Sequence, residues 1–244
     1  MNDTTAPSAP TPAPTPNPRD AQEDPRDATR PLFDQLLRSP AALLARFDGP
    51  LAGASLVQLA LLALAGHIGY GLVVGSFSGG EQWWAAPLKI ALGSLLSAAL
   101  CFPSLYIFVS RSGADTSARH VLGMLLAMLA STGVLLVGFA PVAWIFSQSS
   151  TSLALLAPLH YFVWIVSLFA SERILEAGLK HWRARRGGLL PLWTAIFLVT
   201  CLQMTTTLRP VLGRSENFFD SERKLFLVHW AETISDEVER KSGK

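Results

Sequence analysis

The chain has 244 residues, of which half are hydrophobic and only 16% are charged, with a formal net charge of +2. Soluble domains carry about 25% charged residues, so this composition excludes an ordinary soluble domain, and the small net charge predicts no nucleic-acid partner. The two cysteines, Cys101 and Cys201, both lie in apolar segments, so no disulfide framework is predicted.

Residues 1–30 are rich in proline, alanine, threonine and aspartate and, after Met1, carry no apolar side chain larger than alanine. Such a segment cannot bury enough surface to offset the entropy of ordering it, so we expect a disordered tail. Its polar beginning predicts no cleavable signal peptide.

Residues 31–47 form a different region of short apolar turns, which include Leu36 and Leu43 on either side of Pro40. The pattern predicts two short amphipathic helices that lie at the membrane surface. Asp48-Gly49-Pro50 then interrupts helical structure before the first long apolar stretch.

Long apolar stretches fill the region 48–208, and a helix needs about 20 such residues to cross the hydrocarbon core. The uncharged block from His120 to Ser171 is long enough for two helices, and the polar run from Ser147 to Ser152 predicts a tight hairpin between them. The sequence therefore predicts an all-α integral membrane protein, a bundle of about five transmembrane helices, at 51–75, 88–110, 120–146, 153–171 and 190–208.

The orientation follows from the lysines and arginines between these spans. Twelve lie on the side of the N-terminus and one, Lys89, on the other, so we expect a cytoplasmic N-terminus in a bacterial inner membrane. Lys89 is expected to reach the outer interface with its ammonium group. Residues 209–244 contain a predicted amphipathic helix at 220–240 and seven Lys or Arg, which leave open whether the fifth segment crosses or re-enters.

Polar side chains inside the spans are the candidates for function. By their depth, His67, His160 and Gln203 all fall in the outer half of the bilayer, where a cluster could bind a lipid head group, a proton or a metal. The alternative is that each side chain bonds a neighbouring backbone, and we expect this one, because no intramembrane charge stands near to tune either imidazole. Two histidines without a carboxylate or thiol beside them predict no metal site.

The chain contains no nucleophile elbow, phosphate loop or zinc-protease motif. The sequence thus predicts no catalytic residue, no cofactor and no enzymatic activity. Small residues Gly71 and Gly75 have the spacing of close helix contacts, and packing within the chain is expected rather than dimerisation.

The run Phe47-Asp48-Gly49-Pro50-Leu51, preceded by a polar N-terminus and followed by five clustered spans, resembles the layout of the Yip1-type membrane proteins. The likeness covers roughly residues 48–208. The chain departs from that family in the spacing of Asp48 to Gly49, in its third span, which lacks a clear Gly-Tyr signature, and in its added C-terminal region. It is also similar to uncharacterised bacterial multi-pass proteins rich in alanine, leucine and arginine. Neither resemblance transfers a functional residue.

A non-enzymatic scaffold or accessory subunit is the function that these features favour, with the lipid bilayer and other membrane proteins as partners. The alternative is a small carrier or channel that uses the outer-leaflet polar cluster. A water-accessible cavity around His67, His160 and Gln203 would favour the carrier, and an exposed apolar groove would favour the scaffold.

Overall fold

The computed structural model describes residues 30–78, 80, 82–149, 153–184 and 190–207. Most of the predicted N-terminal tail and the whole predicted helix at 220–240 lie outside these residues. The described part is helical and contains no strand. Its α-helices are α1 (Leu32–Arg38), α2 (Pro40–Ala45), α3 (Ala52–Ser78), α4 (Gln82–Arg111), α5 (Ala118–Ser149), α6 (Leu153–His181) and α7 (Leu190–Thr207), with a 3₁₀ turn at Arg46–Asp48.

Three of these helices are long and apolar enough to cross a membrane, namely Ala52–Phe77, Trp83–Arg111 and Ala118–Ser149. They coincide with the first three predicted spans. The described apolar part of α7, Leu190–Met204, is shorter, and α6 begins where the fourth span was predicted. The count of five spans therefore stays a prediction.

Two helix boundaries differ from the sequence prediction. Helix α4 begins at Gln82 instead of residue 88, and α6 continues to His181 instead of ending at residue 171. The prediction ended the span of α6 where charged residues begin, whereas the missed start of α4 is mostly apolar (Trp83, Trp84, Ala85 and Ala86) and precedes Pro87. A helix continues through polar residues with good helix propensity, such as Glu172 and Lys180, because the backbone hydrogen bonds do not depend on apolar side chains.

Helix α5 is the centre of the bundle. In its most apolar stretch 67% of the residues are buried, against 39% in the corresponding stretches of α3 and α4. Helix α3 approaches it at two glycines, since a Cβ atom on Gly66 would lie 2.6 Å from the carbonyl carbon of Gly133. Gly71 packs in the same way against Pro87 of α4. Gly71 thus allows close contact between two helices of the same chain, as predicted.

The N-terminal helices cover one end of this bundle. Leu36, Leu43 and Phe47 are fully buried, and the ring of Phe47 lies where a side chain on Gly123 of α5 would stand. The predicted pair of short helices is present, and its apolar side chains pack on protein. Their predicted location at the membrane surface stays a prediction.

Asp48 links this covering segment to helices α5 and α6. One carboxylate oxygen of Asp48 lies 3.1 Å from Nε2 of His120, and the other lies 3.7 Å from Nε2 of His181. The Asp48 side chain is half exposed, so these solvent-screened contacts contribute less than about 1 kcal/mol each. Burial of Phe47 stabilises the covering segment more, because removing a buried Phe side chain costs about 3–5 kcal/mol.

Two apolar clusters hold the bundle together. The larger one includes the covering segment and the first half of α5. The smaller one lies toward the opposite end and is built from the buried residues Tyr70, Val74, Ala86, Leu136, Ala143 and Val163. The candidate site lies beside this smaller cluster.

Candidate functional site

A cavity of about 80 Å³ lies between four helices, and we call it the Lys89 cavity. It is partly open to the surface. A single water needs about 10–15 Å³, so the cavity has room for several water molecules. Its lining consists of Tyr70 and Val74 from α3, Lys89, Ile90, Gly93 and Ser94 from α4, His160, Tyr161 and Trp164 from α6, and Cys201 and Leu202 from α7.

The polar residues of the cavity share one level of the bundle. Tyr70 stands eight residues before the end of α3, and Lys89 and His160 each stand seven residues after the start of their helices. At about 1.5 Å per residue, all three lie roughly 10–12 Å from the end of the bundle where α3 leads to α4. Chain topology therefore brings together side chains that are far apart in sequence.

Tyr70 and His160 form the best-defined contact in the cavity. The Tyr70 hydroxyl oxygen lies 2.8 Å from Nδ1 of His160, and the two rings meet edge to face with centroids 5.7 Å apart. The side chains come from α3 and α6, so this hydrogen bond joins two helices.

The hydrogen-bond partners of His160 indicate which of its two ring nitrogens carries the hydrogen. Nε2 of His160 is buried and has no hydrogen-bond partner. If the Tyr70 hydroxyl donates to Nδ1, only the Nε2–H group is left unsatisfied; if Nδ1–H donated, both Nε2 and the hydroxyl hydrogen would be. Buried polar groups are nearly always paired, so the first arrangement is favoured. His160 then offers an N–H donor at Nε2.

Lys89 is the cavity residue whose position differs from the sequence prediction. It was expected to reach the outer interface, but only 4% of it is exposed and it lines the cavity. Pro87 packs against Gly71 and brings this turn of α4 against α3; Ala86 and Lys89 are buried there, whereas Leu88 is exposed. Lys89 also has a contact of its own within the protein.

The sequence contains a pattern that could have predicted the buried position of Lys89. Trp83 and Trp84 are exposed and have the character of an interfacial aromatic belt. Lys89 follows them by five residues in the same helix, which places its Cα roughly 7–9 Å further into the bundle.

The three predicted polar residues have different surroundings. His160 lines the cavity, whereas His67 and Gln203 are not among its lining residues. Nδ1 of His67 lies 2.8 Å from the Ala63 carbonyl oxygen in its own helix, and its Nε2 has no hydrogen-bond partner. Gln203 follows Leu202 of the lining and has a contact within the protein. The functional role of the three stays a prediction.

The lining combines hydrogen-bond donors with apolar walls. None of its eleven residues is an aspartate or glutamate, and Lys89 is the one lysine or arginine among them. Across the described residues, no group of three His, Cys, Asp or Glu side chains could hold a metal ion. The arrangement can hold a small, largely apolar molecule.

Comparison of the chain with protein-family models, with curated proteins and with solved structures finds no match. The resemblance to the Yip1-type proteins therefore stays one of layout. The functional conclusion rests on the chemistry of the Lys89 cavity.

Proposed function

We propose that this chain is a non-enzymatic membrane protein that binds a small ligand in the Lys89 cavity. The observation that carries the proposal is a buried lysine that lines a partly open cavity, with His160 in the same lining. Ionisable side chains are costly inside a membrane-spanning bundle and generally mark a ligand site or a transport pathway. This is the binding function of the carrier class that the sequence left as its alternative.

The proposal includes the membrane topology. We propose five spans, a cytoplasmic N-terminus and residence in a bacterial inner membrane, on the basis of the charge asymmetry between the helices. The three long apolar helices support a membrane location. In this topology the Lys89 cavity lies in the outer half of the bilayer.

A scaffold or accessory subunit remains the rival proposal, with other membrane proteins as its partners. A scaffold needs the shape of the bundle but no occupant in the cavity. The two proposals therefore differ in whether a small molecule stays with the purified protein and whether the cavity is needed to hold it.

A cavity-filling substitution separates the two. Val74 lines the cavity and is buried, so Val74→Phe would occupy its space. Val142→Phe adds the same ring where 49% of the side chain is exposed and is the matched control. Each protein would be purified in mild detergent from its host membrane, and retained small molecules identified by native mass spectrometry.

We expect one retained molecule in the wild type and in Val142→Phe, and none in Val74→Phe. Gel filtration and circular dichroism would establish that all three proteins are folded. Equal retention in Val74→Phe, or no retained molecule in the wild type, would contradict the binding function and favour the scaffold.

A further inference from the structure

We propose that four exposed basic side chains at the covered end of the bundle form a binding surface for anionic membrane lipids. We call it the basic surface, and it consists of Arg111 at the end of α4, Arg119 at the start of α5, and Lys180 and Arg183 at the end of α6. The inference goes beyond the proposed function, because it needs the long helices in a membrane but no occupant in the Lys89 cavity.

The fold brings these side chains to one surface although they come from three helices. A connection of six residues joins α4 to α5, so Arg111 and Arg119 are neighbours. The backbone N–H of Asp115 in this connection donates a hydrogen bond of 3.2 Å to the carbonyl oxygen of Trp182. The ring of Trp182 also stacks on that of His120, with centroids 4.9 Å apart. These contacts hold the end of α6 beside the connection.

The charges of the basic surface are not neutralised by ion pairs. All four side chains are exposed, and none makes an ion pair with another residue that the structure describes. Arg38 at the same end shows the contrast, since its Nε lies 2.9 Å from a carboxylate oxygen of Asp34. Asp115 and Glu176 are exposed carboxylates close to the basic surface along the chain. Four cations therefore stand against two carboxylates, and the surface keeps a positive charge.

The lengths of the helices place this charge at the level of lipid head groups. The apolar helices Trp83–Arg111 and Ala118–Ser149 have 29 and 32 residues, which corresponds to about 43 and 48 Å. The hydrocarbon core is about 30 Å thick, and the bilayer with its head groups about 40–45 Å. Arg111 and Arg119 stand at the ends of these helices, so in a membrane their guanidinium groups reach the phosphates.

The chemistry of the surface selects an anionic head group. A guanidinium group presents its N–H donors in a planar fork that matches two oxygens of a phosphate. A zwitterionic head group adds a cation of its own, which a positive surface repels. Clusters of four or more Lys or Arg beside a membrane-spanning helix are typical of surfaces that bind anionic lipids.

The same charges support the proposed orientation of the chain, but orientation requires no lasting contact with a lipid. The inference adds that contact, and lipid retention distinguishes the two roles. A charge that only orients the chain leaves the purified protein without a preference between lipids.

Retention of lipids from a mixed bilayer tests the inference. The protein would be reconstituted with equal parts of dioleoylphosphatidylglycerol and dioleoylphosphatidylcholine, which share their acyl chains and differ in head-group charge. After extraction in mild detergent, native mass spectrometry gives the ratio of the two retained lipids. The variants are Arg119→Gln alone and Arg119→Gln combined with Arg111→Gln. Arg38→Gln is the matched control, because it removes an exposed arginine at the same end that is already paired with Asp34.

We expect the wild type and Arg38→Gln to retain an excess of phosphatidylglycerol. Each charge removed from the basic surface should lower the ratio by up to about fivefold. The variants should fold, because the substituted side chains are exposed, and circular dichroism and gel filtration would check this.

Three results would overturn the inference. Equal retention of the two lipids by the wild type would show that the protein has no preference for an anionic lipid. A preference that the double variant keeps at wild-type strength would show that the lipid binds elsewhere, and its loss in Val74→Phe would then locate it in the Lys89 cavity. If the lipids are retained equally but a glutamate-rich peptide binds the wild type and not the double variant, the partner is an acidic protein segment instead.

Discussion

At the scale of single residues, the hydrogen bond between Tyr70 and His160 is the best-defined polar contact of the cavity. It joins two helices, and with the Tyr70 hydroxyl as donor the neutral His160 carries its hydrogen at Nε2, which is buried and has no partner. Hydrogen bonds between helices in membranes contribute only about 0.6 kcal/mol on average. The contact therefore matters more for which nitrogen of His160 carries the hydrogen than for the stability of the fold.

Tyr70→Phe tests this division of roles. We expect a loss of about 0.6 kcal/mol of stability, together with a changed tautomer equilibrium at His160 because the Nδ1 acceptor has lost its donor. Thermal unfolding in detergent measures the first effect, and the nitrogen chemical shifts of the labelled imidazole measure the second. Tyr106→Phe, at a partly exposed site, is the control. Unchanged imidazole shifts in Tyr70→Phe would contradict the assigned hydrogen bond.

The sequence could predict polar candidates at this scale but not their partners. His67 and His160 looked alike, since both are lone histidines in apolar spans. They differ in the structure because His67 bonds the carbonyl of Ala63 in its own helix, whereas His160 meets a tyrosine from another helix. Which bond forms depends on how the helices are rotated against each other. A single sequence does not specify that rotation.

At the scale of the helices, close approach of α3 and α5 sets the geometry around the site. Gly66 lies against the backbone of Gly133, and the Cβ of a larger residue there would lie 2.6 Å from a carbonyl carbon. Backbone atoms cannot move aside as a flexible side chain can. Tight packing of small residues is the main source of helix association in membranes.

Gly66→Ala is therefore expected to push α3 and α5 apart. Overpacking of this kind typically costs about 1–3 kcal/mol. Gly138→Ala makes the same change in α5 at a position with no neighbouring atom within 4 Å, and it should leave stability unchanged or raise it slightly, because alanine favours the helix. Unfolding in a denaturing detergent would measure the difference. Equal stability of the two variants would contradict the close crossing.

The sequence predicted the helices better than their ends. Apolar length located the positions of α3, α4 and α5 because helix-forming residues without charge continue for more than 20 positions. It misplaced the end of α6, where charged residues such as Glu172 continue the helix, and the start of α4, which begins at Gln82, ahead of Pro87. The six extra residues at the start of α4 matter for function, since they place Lys89 inside the bundle.

At the scale of the whole molecule, the two ends of the bundle have different chemistry. One end is covered by α1 and α2 and carries the contacts of Asp48 with His120 and His181. The other end holds the Lys89 cavity. In the proposed topology the covered end faces the cytoplasm and the cavity lies nearer the outer surface.

Cysteine labelling in whole cells tests this orientation. Ser149 and Lys180 are exposed near opposite ends of the bundle, and each would be replaced by cysteine in a chain that lacks Cys101 and Cys201. A membrane-impermeant maleimide should label Ser149→Cys in intact cells and Lys180→Cys only after permeabilisation. The reverse pattern would invert the topology and place the cavity in the inner half.

The two native cysteines offer the most direct measurement of the cavity itself. Both are only 4% exposed, but Cys201 lines the cavity and Cys101 does not. A small neutral thiol reagent applied to the unaltered protein, followed by peptide mass spectrometry, would give the two modification rates side by side. An accessible binding cavity predicts that Val74→Phe slows the modification of Cys201 and leaves that of Cys101 unchanged, whereas Val142→Phe changes neither rate. An equal rate at Cys201 in the wild type and in Val74→Phe would contradict it.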